Sequence, residues 1–219
     1  MFKAAIFDLD GTLLDTIDDL STAMNDTLAS YGFATFPVAH HKSAVGNGIR
    51  VYASKCIPEE KNSPEFLEEF VKQVGVRYDK ICTNITAPYE GILPLLDFLK
   101  SQNIILNVLS NKLDGFAKEM IEHYFHAYGF QSVYGERPGF PKKPAPDVAF
   151  TICDECGVLP EEVLFIGDSI YDVMTGKNAG MCSVAAAWGY QSVEMLKEKE
   201  PDLIADSPLD IIDYIKDRS

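Results

Sequence analysis

Asp8 and Asp10 stand two residues apart, directly after the short apolar run 3–7. Three other places carry comparable groups. Ser110 and Asn111 follow the apolar run 104–109, Lys143 opens the stretch Lys-Pro-Ala-Pro, and Asp168 with Asp172 follows the apolar run 163–166. In open parallel sheets ligands collect beyond the carboxyl ends of the strands, so polar groups at several strand ends have one place to meet. Converging carboxylates repel and raise each other's pKa. A bound Mg2+ removes that conflict, because it prefers oxygen ligands and tolerates several waters. A neighbouring carboxylate can attack phosphorus. A lysine would neutralise nucleophile and phosphate, and a hydroxyl with a helix N-terminus would hold the other phosphoryl oxygens. That chemistry is phosphoryl transfer, where positioning and electrostatics carry most of the catalysis.

Each group has a blander use when taken alone. A DxD after a strand is commonly a solvated loop, Ser110-Asn111 and Asp168 are candidate helix caps, and Lys143 is a candidate surface lysine. Only their occurrence together carries the chemical reading.

The elements that must position these groups follow from periodicity. Apolar residues at Ile17, Leu20, Met24, Leu28 and Tyr31 fall at helical spacing, and Gly32 is a natural stop. Val45-Gly46-Asn47-Gly48 reads as a turn, with a helix restarting over 49–56 and another over 64–81. After Pro88 the pattern changes. Helices over 91–102, 116–124, 147–156, 173–179 and 210–216 alternate with strand candidates over 104–109, 130–134, 163–166, 182–187 and 203–205. Alternation of this kind predicts a parallel sheet covered on both faces. The expected architecture is therefore an α/β, Rossmann-like parallel-sheet core formed by residues 1–14 and 86–219. A helical cap over 15–85 is inserted after the first strand.

Composition sets the outer bounds. The chain has 219 residues, 47% hydrophobic and 24% charged, which suits a globular domain with a core of its own. Lys plus Arg is 19 and Asp plus Glu is 33, a formal net charge of −14. Such a chain repels nucleic-acid backbones and anionic membranes, so neither is an expected partner. No apolar run of membrane-spanning length and no signal h-region occurs, which predicts a cytoplasmic protein. The five cysteines are scattered and odd in number, as expected of reduced thiols. Cys153 and Cys156 form a lone CxxC within a helical pattern, with no second pair to complete a zinc site.

The motifs also carry a resemblance. Asp8-Leu9-Asp10-Gly11-Thr12 resembles the DxDGT signature of the haloacid-dehalogenase-like hydrolases. Ser110 resembles their second motif and Lys143 their lysine motif. Gly167-Asp168-Ser169-Ile170-Tyr171-Asp172 resembles their acidic motif, and all four occur in family order. The resemblance implies that Asp8 is the nucleophile and a metal ligand. It makes Asp10 the general acid and base, its backbone carbonyl also on the metal. Ser110 and the backbone near Asn111 would hold the phosphoryl oxygens, and Lys143 would pair with phosphate and Asp8. Asp168 would bind Mg2+, with Asp172 supporting that site. The second aspartate favours phosphate chemistry over dehalogenation.

Leu13 to Leu20, the cap turn 45–48 and Ser110-Asn111-Lys112 resemble the phosphoglycolate-phosphatase-like members. The expected function is Mg2+-dependent hydrolysis of a small phosphomonoester, with phosphoglycolate a candidate, through an aspartyl-phosphate. Gly48 and Arg50 in the cap and Lys112 in the core are the candidate substrate contacts. His40 and His41 read as an exposed, non-catalytic pair, and Trp188 as packing at the core edge. Two other functions remain open at this level: a sugar-phosphate mutase with the same motifs, and a non-catalytic binding module.

Overall fold

Every position of Ala4–Phe7 (β1) and Val163–Gly167 (β6) is buried in the computed structural model, which describes residues 1–218. Strands with no polar face need cover on both sides. They receive it in a six-stranded sheet with Ile105–Leu113 (β4), Ser132–Glu136 (β5), Cys182–Ala186 (β7) and Leu203–Ala205 (β8). The order is β5-β4-β1-β6-β7-β8 and every pairing is parallel. Side chains alternate across the sheet as strand geometry demands. Ala5, Phe7, Leu106, Val108, Leu164 and Ile166 pack on one face, with helices Ile92–Ser101 (α5), Asp114–Phe125 (α6) and Pro208–Lys216 (α10). Ala4, Ile6, Leu109, Val163 and Phe165 pack on the other, with Asp147–Cys156 (α7) and the end of Ile170–Ala179 (α8). A short helix, Val193–Lys197 (α9), precedes β8.

The register fixes where the strand ends meet. Phe7 lies opposite Val108 on one side and Ile166 on the other. The chain runs outward from β1 through β4 to β5, then returns to β6 on the far side. That reversal is the switch point at which parallel sheets open a crevice. Asp8, Ser110 and Asp168 all stand at this edge within two residues of the aligned positions.

By internal contacts the chain divides into two compact units, Met1–Leu14 with Pro88 onward, and Asp15–Ala87. Leu14–Asp15 (β2) and Ala87–Pro88 (β3) pair where the chain leaves and re-enters the first unit. The second unit holds four α-helices: Ile17–Ser30 (α1), Val38–Ala44 (α2), Ile49–Ser54 (α3) and Pro64–Tyr78 (α4). The apolar stripe of α1 is buried at Ile17, Leu20, Met24 and Leu28, and α4 buries Phe70, Val74 and Tyr78. Asp19 is also buried. Its Oδ2 accepts hydrogen bonds from Ile85 N–H (3.1 Å), Thr86 N–H (2.9 Å) and the Thr86 hydroxyl (2.8 Å), which ties the last residues of the unit to its first helix.

Two local expectations change. β4 runs on to Leu113, with its β5 register shifting between Leu109 and Leu113, so Ser110 and Asn111 lie within the strand. Beyond Leu109 the strand is paired on one side only, where Leu113 lies opposite Glu136 of β5. His40 and His41 lie in α2, and His41 is fully buried. The Tyr52 hydroxyl lies 2.7 Å from its Nδ1, while Nε2 faces Asn25 Oδ1 and the Phe36 carbonyl, each at 3.2 Å. Two acceptors around Nε2 require the proton there, so Tyr52 donates to Nδ1. Burial depresses the His41 pKa, and the ring is a neutral cross-brace of this unit. None of the five cysteines forms a disulfide. Burial pushes the Cys153 thiol up to about 11, which makes it a poor thiolate. No helix among the described residues is long and apolar enough to cross a membrane.

Candidate active site

Asp8 leaves β1 with its own N–H donating to the Ile166 carbonyl (2.9 Å), so its backbone is held by β6. Its Oδ1 accepts from Leu9 N–H at 2.7 Å and from Lys143 Nζ at 2.9 Å. The same ammonium donates to Asp172 Oδ1 at 2.5 Å. Asp172 owes its position to a helix cap. Ser169 and Asp172 form the reciprocal capping box of α8, in which Asp172 Oδ2 accepts from Ser169 N–H (2.9 Å) and from its hydroxyl (2.5 Å). Asp168 precedes that cap. Its Oδ1 accepts from the Thr12 hydroxyl (3.2 Å) and its Oδ2 from Tyr190 N–H (2.8 Å).

Two glycines make room for this packing. A Cβ on Gly189 would lie 2.1 Å from Asp168 Cβ, and one on Gly11, at φ +84, would lie 2.4 Å from Asp168 Oδ2. Only glycine lets both turns close on that carboxylate. Thr12, Gly189 and Tyr190 were not singled out from the sequence. Thr12 had a visible signal as the last residue of the DxDGT run, whereas a backbone N–H such as that of Tyr190 has none.

Oxygens of Asp8, Asp168 and Asp172 lie within 4.8 Å of one another, and all three residues are buried. Burial pushes the Asp8 carboxyl up to about 6, with Lys143 opposing and Asp172 and Asp10 adding to the rise. Asp168 is raised well above the usual carboxylate range, by burial first and then by Asp172 and Asp8. Burial opposes the charge on Lys143, but Asp172 and Asp8 outweigh it and hold that pKa above its ordinary value. Three buried carboxylates against this ammonium leave an excess of negative charge. An all-oxygen set with such an excess fits a hard divalent cation.

This arrangement has a measurable consequence for the metal-free protein. A carboxylate whose pKa is raised on folding stabilises the fold below its unfolded value of 3.8, and that contribution is lost as pH rises through the folded value of about 6. In urea titrations Asp8→Asn is therefore expected to become more stable than the native chain as pH rises from about 4 to about 7, by about 1–3 kcal/mol. A divalent cation that binds the cluster should reverse the order at neutral pH, and a gap that does not change with pH would refute the charge argument.

Ser110 is buried, and its Oγ accepts from Lys112 N–H at 3.3 Å. The Asn111 side chain is engaged with the Lys143 backbone. Its Oδ1 accepts from Lys143 N–H (3.0 Å) and its Nδ2 donates to the Lys143 carbonyl (3.3 Å). Lys112 Nζ lies 3.0 Å and 3.2 Å from the two carboxylate oxygens of Asp10. Trp188 packs against the larger core cluster and donates from Nε1 to the Thr12 carbonyl (3.0 Å). In the second unit, Gly48 is the cap residue before α3 with φ +82, and Arg50 is exposed on the first turn of that helix.

A six-stranded parallel sheet with carboxylates and a lysine gathered at its switch point defines a class of protein, and comparison with known sequences agrees. The family model for haloacid dehalogenase-like hydrolases matches residues 5–186, and the chain belongs to that family. A phosphoglycolate phosphatase from Aquifex aeolicus (strain VF5) is 30% identical over 210 residues, covering 96% of this chain and 95% of the relative. An N-acetylmuramic acid 6-phosphate phosphatase from Pseudomonas aeruginosa is 29% identical over 218 residues, covering 97% and 94%. The crystal structure of a predicted phosphoglycolate phosphatase from Haemophilus somnus 129pt superposes with a TM-score of 0.90 at 27% identity, covering 98% of each chain. Within the family the chain falls in the phosphoglycolate-phosphatase-like subgroup, and it is a phosphoric monoester hydrolase.

Proposed function

We infer that the protein is a Mg2+-dependent phosphatase that hydrolyses a small phosphomonoester through an aspartyl-phosphate on Asp8, with phosphoglycolate as the candidate substrate. The observation that carries the reading is the buried Asp8 carboxylate held at 2.9 Å by Lys143, beside Asp168 and Asp172, at the switch point of the sheet. Asp8, Asp168 and the backbone carbonyl of Asp10 are the proposed Mg2+ ligands, with Asp172 supporting them. When bound, the ion supplies positive charge to the carboxylates and to the phosphoryl oxygens.

The chain's own groups then divide the work. An Asp8 oxygen attacks phosphorus, the ester P–O bond breaks, and its electron pair leaves on the alcohol oxygen. That oxygen takes the proton of the Asp10 carboxyl. Water next attacks the aspartyl-phosphate, gives a proton back to Asp10, and releases phosphate and the Asp8 carboxylate. Lys143, the Ser110 hydroxyl and the backbone at Asn111 hold phosphoryl oxygens throughout.

Both named relatives point to one class of ester, since phosphoglycolate and N-acetylmuramic acid 6-phosphate are phosphomonoesters of carboxylic acids. The exposed Arg50, in its Gly48–Arg50 turn, is the cation proposed for that carboxylate. The odd number and scattered placement of the five cysteines in the sequence are what support the proposed cytoplasmic location.

Phosphate release from a panel of esters, with and without Mg2+, tests the reading. Release is expected only with Mg2+, and fastest from the carboxylated esters. Isomerisation of a hexose phosphate without free phosphate would replace this reading by a mutase, and inertness toward the whole panel would favour a binding module.

A further inference from the structure

We propose that Lys112 is a positioning residue of the reaction: its ammonium holds the Asp10 carboxylate in place and balances the charge that appears there when the proton leaves. The inference rests on Asp10 being the acid and base assigned above.

The main chain of Asp10 is fixed by its turn, in which Gly11 N–H donates to the Leu14 carbonyl (2.9 Å) and Asp10 itself bridges to Leu14. Its carboxylate still has two side-chain torsions to settle. Lys112 approaches from β4, the parallel neighbour of β1, and reaches both oxygens at 3.0 Å and 3.2 Å. The Lys112 side chain is only 5% exposed and that of Asp10 15%. A lysine so enclosed has few other rotamers, unlike an exposed one that swings through solvent. Its backbone is set as well, because its N–H donates to the Ser110 hydroxyl at 3.3 Å. One residue thus links the phosphate-holding serine of β4 to the acid that follows β1.

The chemistry gives the contact a purpose. As the ester bond breaks, Asp10 passes its proton to the departing oxygen and becomes a carboxylate. An ammonium already in place stabilises that new charge without reorganisation. In the second step the same paired carboxylate faces the attacking water. The sequence suggested Lys112 as a substrate contact, whereas this geometry has it act through Asp10.

The two roles separate on esters that differ only in the leaving group. Phenyl phosphate and p-nitrophenyl phosphate are close in shape and carry no carboxylate, but only the first needs its leaving oxygen protonated. The ratio of kcat/KM for the pair reports leaving-group departure, is blind to hydrolysis of the intermediate, and does not depend on how much of a preparation is folded. In Lys112→Met the value for phenyl phosphate is expected to fall about 10²-fold and that for p-nitrophenyl phosphate less than about threefold, since an acid catalyst contributes only where a proton is needed. Asp10→Asn should show the same split, and Lys112→Arg should recover part of it. An unchanged ratio in Lys112→Met, whether or not both values fall, with the split retained in Asp10→Asn, would overturn the proposal alone. Absence of the split in Asp10→Asn would instead remove the acid assignment on which it rests. If Lys112→Met does not fold, Lys112→Gln is read by the same ratio.

Discussion

Asp8→Asn is expected to lower turnover of any phosphomonoester by at least ~10³-fold, as loss of the proposed covalent nucleophile would, while the protein stays folded. The amide keeps the size of the carboxylate, and its oxygen can still accept from Leu9 N–H. Lys143 keeps Asp172 at 2.5 Å, so the ammonium is not stranded. An amide oxygen does not form the acyl phosphate, and it removes one of the charges that would hold a cation. Two readouts are needed because both losses lower activity. Saturating Mg2+ recovers whatever was lost through weaker metal binding and leaves the loss of the nucleophile untouched. Turnover by Asp8→Asn within tenfold of the native rate at saturating Mg2+, an order-of-magnitude criterion, would move the nucleophile to another group. The unchanged fold is checked by urea denaturation, where the metal-free variant is expected to be at least as stable as the native chain at neutral pH.

How much of this was visible beforehand depends on what each feature is made of. The strand β8 and the helix α7 occupy the spans that periodicity marks, and β1 and β6 follow apolar runs with no polar face to confuse them. Those runs also announce a parallel sheet. A parallel sheet sends the carboxyl ends of its strands to one edge, so the sequence pattern alone places Asp8, Ser110 and Asp168 together. The helix α2 gave no such signal. It has seven residues, and its buried members are His41 and Ala44, which do not stand out as an apolar stripe. The end of β4 is hidden for the opposite reason: Ser110, Asn111 and Lys112 are polar, yet the strand runs on to Leu113, which pairs with Glu136 of β5. Within the site, the residue types were legible and the direction of their side chains was not. Asn111 is proposed to face phosphate with its backbone, and nothing in its type announces that its side-chain amide pairs with the backbone of Lys143. Lys112 is a candidate substrate contact by its charge, and its pairing with Asp10 is not readable from the sequence. Contacts between residues about a hundred apart depend on sheet register, which no local pattern encodes.

Lys143→Met should be the most destabilising single change at the site, by about 3–5 kcal/mol, the usual result of removing one partner from a buried ion pair. The Lys143 side chain is 1% exposed, and its ammonium lies 2.9 Å from Asp8 and 2.5 Å from Asp172. Methionine fills similar space and leaves Asp8, Asp168 and Asp172 to face one another. Lys143→Arg is a poor rescue, because a planar fork that needs more room enters a closed site. Activity should fall with either variant, since the cation proposed to pair nucleophile and phosphate is lost or displaced. The sign of the pH dependence separates charge from packing. Removing the ammonium raises the pKa of Asp8 and Asp168 further, and a carboxyl raised on folding costs stability only where it would be ionised. The metal-free deficit of Lys143→Met is therefore expected to be largest near neutral pH and to shrink as pH falls below the Asp8 value of about 6. Mg2+ should narrow it at neutral pH by supplying charge to the same oxygens. A deficit equal at acid and neutral pH, and indifferent to Mg2+, would trace the loss to the packing of the lysine stem, and the three carboxylates would then not be the charged centre on which the phosphatase mechanism depends.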